Sequence, residues 1–228
     1  MAAWTVGLLI LFGTGWSGGA VLAAFFVSSN LVSRVAPAPQ QTDAKGERRD
    51  AWQVYANGGP AAFLALSASS DIELRFWLMT ASLAAAAADT WATSIGARSR
   101  VPPRLLWSGQ PVPPGTSGGV TAIGNLAGIA GAAIVAGTAA FFARDAALFA
   151  AGTLIGFLGM LIDSLIGGRL QGRFWCVRCD QPSEWRVHRC GSRTAWKAGV
   201  VWLNNDGVNL IATAVAGALA LAVWRCLD

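Results

Sequence analysis

Charge is what this sequence has least of. Only 13% of its 228 residues are Asp, Glu, Lys or Arg, against 54% hydrophobic. Soluble domains average near 25% charged, and the apolar residues here come in runs that a soluble fold of this size would struggle to bury. An ordinary soluble domain is therefore excluded, and one membrane-embedded domain over residues 1–228 is expected. Basic residues are also missing ahead of the first apolar run, which extends from Trp4 to about Val27. The run lacks the charged start of a signal peptide, exceeds a typical signal core, and reads as a retained span. No transit peptide precedes it, so a bacterial inner membrane is the expected location. The net charge of +5 would suggest nucleic acid in a soluble protein. In a membrane chain it reflects topology and phosphate handling, and no nucleic-acid partner is expected.

What is present is long apolar sequence. A bilayer core takes about 20 mostly apolar residues per helix, and six stretches qualify, at roughly 4–27, 51–69, 72–96, 119–142, 146–170 and 199–224. The expected fold is all-α, a polytopic bundle of about six transmembrane helices. The basic residues test that count. Arg34, Lys45, Arg48 and Arg49 follow the first stretch, and Arg98, Arg100 and Arg104 the third. Arg169, Arg173, Arg178, Arg186, Arg189, Arg193 and Lys197 follow the fifth, leaving only Arg75, Arg144 and Arg225 elsewhere. Positive connections stay inside, so both termini are expected outside. Trp4, Trp52, Trp107, Trp202 and Trp224 fall near span ends, where indole rings favour the interface.

Ionisable groups within spans are rare and mark function by default. Asp89, Asp163 and Asp206 all fall toward the inner ends of their stretches. Asp89, Ala92, Thr93 and Gly96 share a helical face, whose small residues would leave room for a ligand. Ser164, Gly167, Gly168 and Gln171 follow Asp163, and Asn205 and Asn209 flank Asp206. Asp50, Gln53 and Asn57 make a further polar stripe before the second stretch. Gly115, Thr116, Ser117, Gly118 and Gly119 lead into the fourth stretch; such a loop can turn backbone amides onto an anion. Carboxylates with Asn suit Mg²⁺, which keeps waters or substrate phosphates in its shell, and nearby Arg suits phosphate. The set describes a metal–phosphate site at the cytoplasmic surface. Two other readings compete. Polar groups can simply tie helices together, and ion-coupled transporters keep carboxylates in the membrane, though near its midplane.

Cys176-x2-Cys179 is followed by His188-x-Cys190 within a connection at 171–198. Three thiols and the chain's only His suit tetrahedral Zn²⁺. Disulfides are unexpected on the cytoplasmic side, and Cys226 belongs to the opposite face. Four protein ligands leave no open position, so the expected zinc is structural and orders a basic loop; free or redox-active thiols are the competing reading.

The order of these motifs carries a resemblance. It runs Arg-Arg-Asp-Ala-Trp-Gln-Val-Tyr-Ala-Asn-Gly-Gly from 48, Ala-Asp-Thr-Trp-Ala-Thr-Ser-Ile-Gly from 88, Val-Pro-Pro-Gly-Thr-Ser-Gly-Gly from 112, Asp-Ser-Leu-Ile-Gly-Gly-Arg-Leu-Gln from 163, the Cys/His set, and Asn-Asp-Gly-Val-Asn from 205. Over about residues 45–215 this resembles the integral membrane family that contains plant phytyl-phosphate kinase. The resemblance implies phosphoryl transfer from a nucleoside triphosphate to a membrane-held isoprenyl monophosphate, such as phytyl or geranylgeranyl phosphate. Asp89-x-x-Ala92-x-x-x-Gly96 also resembles a pattern of CTP-dependent polyprenol kinases such as dolichol kinase, which makes CTP the favoured donor. Those kinases follow it with Lys-Lys-Thr-x-Glu-Gly; here Gly115–Gly119 stands in that region, without the lysines or the acid.

The implied roles follow. Asp89, Asp163 and Asp206, with Asn205 or Asn209, would hold one or two Mg²⁺ on the donor phosphates. Gly115–Gly119 would offer amides to them, with Thr93 and Gln171 nearby. Arg48 and Arg49, with Arg98 or Arg169, would take the acceptor phosphate or the transition-state charge. Gln53 and Asn57 would tie helices or meet the nucleotide base. A CTP-dependent lipid-phosphate cytidylyltransferase, releasing pyrophosphate, is the alternative enzyme, and an ion-coupled transporter the non-enzymatic alternative.

Overall fold

The computed structural model describes residues 1–36, 51–67 and 70–227. Among the described residues six helices carry the fold: α1 (Ala2–Val35), α2 (Ala51–Ala65), α3 (Ile72–Gly96), α4 (Ala122–Ala143), α5 (Ala146–Leu170) and α6 (Asn205–Leu227). The protein is an all-α membrane bundle, as its hydropathy indicates. By length and composition, α1, α4, α5 and α6 are long and apolar enough to cross a membrane. The described part of α2 covers 15 residues, about 22 Å of rise. Starts and stops follow local chemistry. Asp71 caps α3, Thr121 caps α4 and Asp145 caps α5, each side chain accepting from backbone N–H groups of the first turn.

α3 is the hub and packs against each of the other five helices. Its residues 76–88 are buried without interruption. The run Ala84–Ala88 makes this possible, because small side chains let neighbouring backbones close in. A Cβ on Gly156 of α5 would fall 2.8 Å from the Ala84 Cβ, and one on Gly159 would fall 2.6 Å from that of Ala85. α3 therefore faces protein instead of lipid, which lets it carry polar residues.

These close approaches also fix direction. Gly152 faces Thr80 and Ala136, Gly156 faces Ala84 and Ala132, and Gly159 faces Ala85 and Ala216. Gly167 faces Val208. α5 thus runs parallel to α3 and antiparallel to α4 and α6. The C-terminal ends of α3 and α5 and the N-terminal ends of α4 and α6 share one end of the bundle. Asp89, Asp163 and Asp206 all lie in that half.

Two expectations need correction. The first stretch is not one straight span. Gly15 leaves the helical region at φ 67°, ψ −161°, and α1 doubles back there. Leu22 reaches to 3.8 Å of where a Cβ on Gly7 would stand, and Leu11 to 2.7 Å of one on Gly19. A straight helix would hold residues 7 and 22 about 22 Å apart. Only glycine accepts this φ without strain, and Gly7, Gly18 and Gly19 let the two arms touch. The first arm then runs parallel to α2, with Val6 against Gly58 and Gly13 against Ala65. Thr213 of α6 donates to the Ala56 carbonyl at 3.1 Å, and Leu64 lies against Gly217, so α2 is parallel to α6. The N-terminus therefore lies at the same end as the acids, while α6 carries the C-terminus to the other end. The two termini do not share a side.

The second correction concerns the face of Ala92 and Gly96. It does not hold a ligand cavity; α4 fills it. A Cβ on Gly124 would meet the Ala92 carbonyl at 3.0 Å and the Gly96 Cα at 3.2 Å, and Gly128 and Gly131 continue the seam past the Ala88 and Ala87 carbonyls. Small residues on both helices made backbone contact the lower-energy use of that face.

The connection at 171–198 is also more ordered than a loop. β3 (Arg173–Cys176), β4 (Gln181–Ser183) and β5 (Ala195–Ala198) form a sheet in the order β4-β3-β5. Between α3 and α4, β1 (Arg104–Leu105) pairs with β2 (Gly119–Val120).

Candidate functional site

Asp89 and Asp163 come together. Parallel packing sets Ala85 against Gly159, and four residues further along each helix the two carboxylates lie close enough to act on one another electrostatically. Asp163 Oδ2 is buried and, among the described residues, has no hydrogen-bond partner. Two carboxylates facing each other inside a membrane protein are costly unless a cation lies with them. Their arrangement suits a hard divalent cation with oxygen ligands.

The Gly-rich connection is inserted beside this pair. Gly118 adopts φ +81°, and a Cβ there would fall 2.5 Å from both the Ser164 carbonyl oxygen and the Gly168 Cα. No other residue fits. The loop thereby reaches the residue next to Asp163. Its amides are only partly available to an anion: Thr116 N donates to the Pro113 carbonyl and Gly119 N to the Thr116 carbonyl. The turns they close leave Gly115, Ser117 and Gly118 as the amides to consider. Trp107 lies against Gly168, and Arg169 stacks over the Trp107 ring at 5.8 Å.

Asp206 lies at a different depth. With Gly159 opposite Ala216 and Gly167 opposite Val208, Asp163 is level with Ala212. Asp206 is six residues nearer the end, about 9 Å of helix rise. Asp206 and Asn205 sit in the first turn of α6, with Asn205 exposed; Asn209, one turn deeper, is buried. Gln171 caps the end of α5. It is 2% exposed, and its Nε2 is a buried donor with no partner among the described residues. Elsewhere the expectations fit less well. Asn57 donates to the Gln53 carbonyl within its own helix, Thr93 is exposed, and Arg98 donates to the Val35 carbonyl. Arg48 and Arg49, like Asp50, lie outside the described residues.

Cys176, Cys179, His188 and Cys190 converge, with their ligand atoms all within 4.8 Å of one another. Cys176 Sγ and Cys190 Sγ are 3.7 Å apart. A tetrahedral centre with Zn–S bonds of about 2.3 Å has edges of about 3.8 Å. Two tight turns present the ligands in pairs, one after β3 closed around Asp180 at φ 51°, the other closed by Gly191 N to the His188 carbonyl. Hydrogen bonds from Ser192 and His188 hold the Cys190 thiol down at about 5. The bond with Cys190, and burial, push the Cys179 thiol up to about 11. Without a cation the neighbouring thiols cannot all ionise; a metal removes that conflict.

Glu184 is a residue that sequence reasoning missed. It accepts from Ser117 Oγ at 2.8 Å, joining the Cys/His module to the Gly-rich loop. Its signal was faint: one of two acids, with Asp180, between the two ligand pairs in a stretch that is mostly basic.

Comparison with known proteins gives a family. The model described as "Integral membrane protein DUF92" matches residues 1–217, so the chain belongs to that family. An uncharacterized membrane protein of Methanocaldococcus jannaschii is 29% identical over 223 residues, 97% of this chain and 82% of the relative. Protein PGR of Arabidopsis thaliana is 30% identical over 238 residues, covering 90% and 80%. An uncharacterized membrane protein of Synechocystis is 27% identical over 232 residues, covering 97% and 79%. No solved structure matches.

Proposed function

We propose that this member of the DUF92 integral membrane family is a kinase that transfers the terminal phosphoryl group of a nucleoside triphosphate to an isoprenyl monophosphate. The observation that carries the reading is the half-buried pair Asp89–Asp163, with Asp163 Oδ2 fully buried and the Gly118 loop seated one residue from it. The motif order shared with the phytyl-phosphate kinase family supplies the substrate class.

The acceptor is already an anion, so the reaction needs no strong base. An oxygen of the prenyl phosphate attacks the γ-phosphorus; the bond to the β-bridging oxygen breaks, and nucleoside diphosphate leaves. The obstacle is bringing two polyanions together in line and stabilising the charge of the transferred group. Mg²⁺ held by Asp89 and Asp163 would supply that charge stabilisation. The Gly118 loop presents amides to the donor phosphates, and Gln171 offers its buried Nε2 donor. Asp206, about 9 Å nearer the end by helix rise, serves the mouth of the site.

An apolar groove of about 520 Å³ supports a lipid acceptor. It lies between Pro60, Phe63 and Leu64 of α2, Leu78 of α3, and Leu210 and Leu221 of α6. Leu210 adjoins Asn209 at its polar end, and the groove follows α6 for about 16 Å. Phe63 is 75% exposed, so a tail can enter from the bilayer. Zn²⁺ on Cys176, Cys179, His188 and Cys190 would be structural, holding Glu184 against Ser117.

The test is purified protein incubated with geranylgeranyl phosphate, Mg²⁺ and each of the four nucleoside triphosphates. Prenyl diphosphate with matching nucleoside diphosphate is expected. Pyrophosphate release would mean a cytidylyltransferase, and no product beside an active control kinase would overturn the enzymatic reading.

A further inference from the structure

A second cavity, of about 460 Å³, lies under the Cys/His module. Its walls include Phe174, Trp185, Trp202, Glu184, Arg186 and Asn204. Three of its features converge. Its aromatic side chains are held by different elements: Phe174 is buried in β3, and Trp202 precedes α6 with 74% of its surface exposed. Trp185 has its backbone fixed, accepting from Thr194 Oγ1 at 2.7 Å and donating to Ser183 Oγ at 3.1 Å. Glu184 reaches from this wall to Ser117 of the Gly-rich loop at 2.8 Å. Asn204 accepts from Gly207 N at 2.9 Å, which puts the positive end of the α6 dipole at the cavity edge, two residues from Asp206.

On the kinase reading above, we infer that this cavity binds the base and ribose of the donor nucleotide. A flat aromatic ring is a ligand that Trp185 and Trp202 can stack on, since every base has a π-face and base–aromatic stacking is sequence-tolerant. The Ser117–Glu184 bond ties the cavity wall to the Gly-rich loop, so a nucleotide bound here would direct its phosphates toward Gly118. The module then has a second purpose beyond ordering a loop: it forms one wall of the nucleotide site. A competing role for Trp202 is anchorage at the membrane interface.

The experiment compares wild type with Trp185→Ala, Trp202→Ala, Trp202→Phe and, away from the cavity, Trp196→Ala. It measures KM for nucleotide and for geranylgeranyl phosphate, and inhibition by inorganic tripolyphosphate, which has phosphates and no base. Nucleotide KM should rise about tenfold or more in Trp185→Ala and Trp202→Ala and recover in Trp202→Phe. Trp196→Ala, the lipid KM and tripolyphosphate inhibition should not change. An unchanged nucleotide KM in both alanine variants, with wild type active, overturns the inference and leaves the kinase reading standing; so does an equal loss of tripolyphosphate affinity. If wild type turns over with no donor, the kinase reading fails separately. Equilibrium dialysis with Mg²⁺–nucleotide then decides the cavity: binding lost in Trp202→Ala supports it, and no binding by wild type overturns it.

Discussion

Asp163→Asn should make the metal-free protein more stable and the metal-bound protein inert. The amide has nearly the same shape as the carboxylate, so packing is unchanged and only the charge is lost. That charge is unfavourable where it stands. Asp163 Oδ2 is buried without a partner among the described residues, and Asp89 acts on it electrostatically. At an effective dielectric of about 20, two like charges repel by about 4 kcal/mol at 4 Å and about 2 kcal/mol at 8 Å. A buried carboxyl can shed part of such a cost by taking up a proton, so these are upper values, and in a chain of this size they correspond to a rise in Tm of at most roughly 4–16 °C. The assay is thermal unfolding in detergent after EDTA treatment, repeated across a Mg²⁺ titration. Wild type should start lower and gain stability as Mg²⁺ is added. The variant should start higher and gain nothing. Equal starting stabilities, or equal Mg²⁺ stabilisation of both proteins, would refute the paired-carboxylate account.

Further outcomes follow from other contacts. Gly118→Ala places a Cβ 2.5 Å from Ser164 O and Gly168 Cα at φ +81°. Left-handed strain and overpacking together reach about 2–4 kcal/mol, so the loop should unseat and turnover fall at least about tenfold, while circular dichroism keeps the helices. Cysteines replacing Leu11 and Gly19 should cross-link readily, because Leu11 lies 2.7 Å from a Cβ on Gly19; a straight α1 would hold them about 12 Å apart and give no bond. An N-terminal tag and a cysteine replacing exposed Val177 should be labelled from the same side of sealed vesicles, and a C-terminal tag from the other. Metal analysis of protein purified without chelator should give about one zinc per chain. Cys176→Ser should lose it and expose the 171–198 segment to protease; a metal-free wild type would contradict the zinc assignment.

Much of this fold was legible because membranes impose strict rules. Apolar length gave α3 and α5 their bounds, and the gathering of the acids toward one end followed from alternation of the basic connections. The turn at Gly15 was not legible. It lies inside an apolar run with no charge or proline to mark it, and its signal, glycines at 13, 15, 18 and 19, is equally that of a tightly packed straight helix. The same ambiguity misled the reading of Ala92 and Gly96, where small residues served helix packing. In the site, the Cys/His spacing was legible because tetrahedral ligation restricts it. Asp206 was grouped with the other acids because sequence gives position along a helix and not relative depth between helices. Glu184 acts through a contact 67 residues away, at Ser117, which no local pattern encodes.

The central claim is that the Asp89–Asp163 pair supports Mg²⁺-dependent phosphoryl transfer to a lipid phosphate. The direct measurement follows label from γ-³²P nucleotide into geranylgeranyl diphosphate, in wild type and in Asp89→Asn verified as folded. Labelled diphosphate that requires Mg²⁺ in wild type, and falls at least about a hundredfold in the variant, is the predicted result. Undiminished label in Asp89→Asn, or none from wild type with any donor, would contradict it.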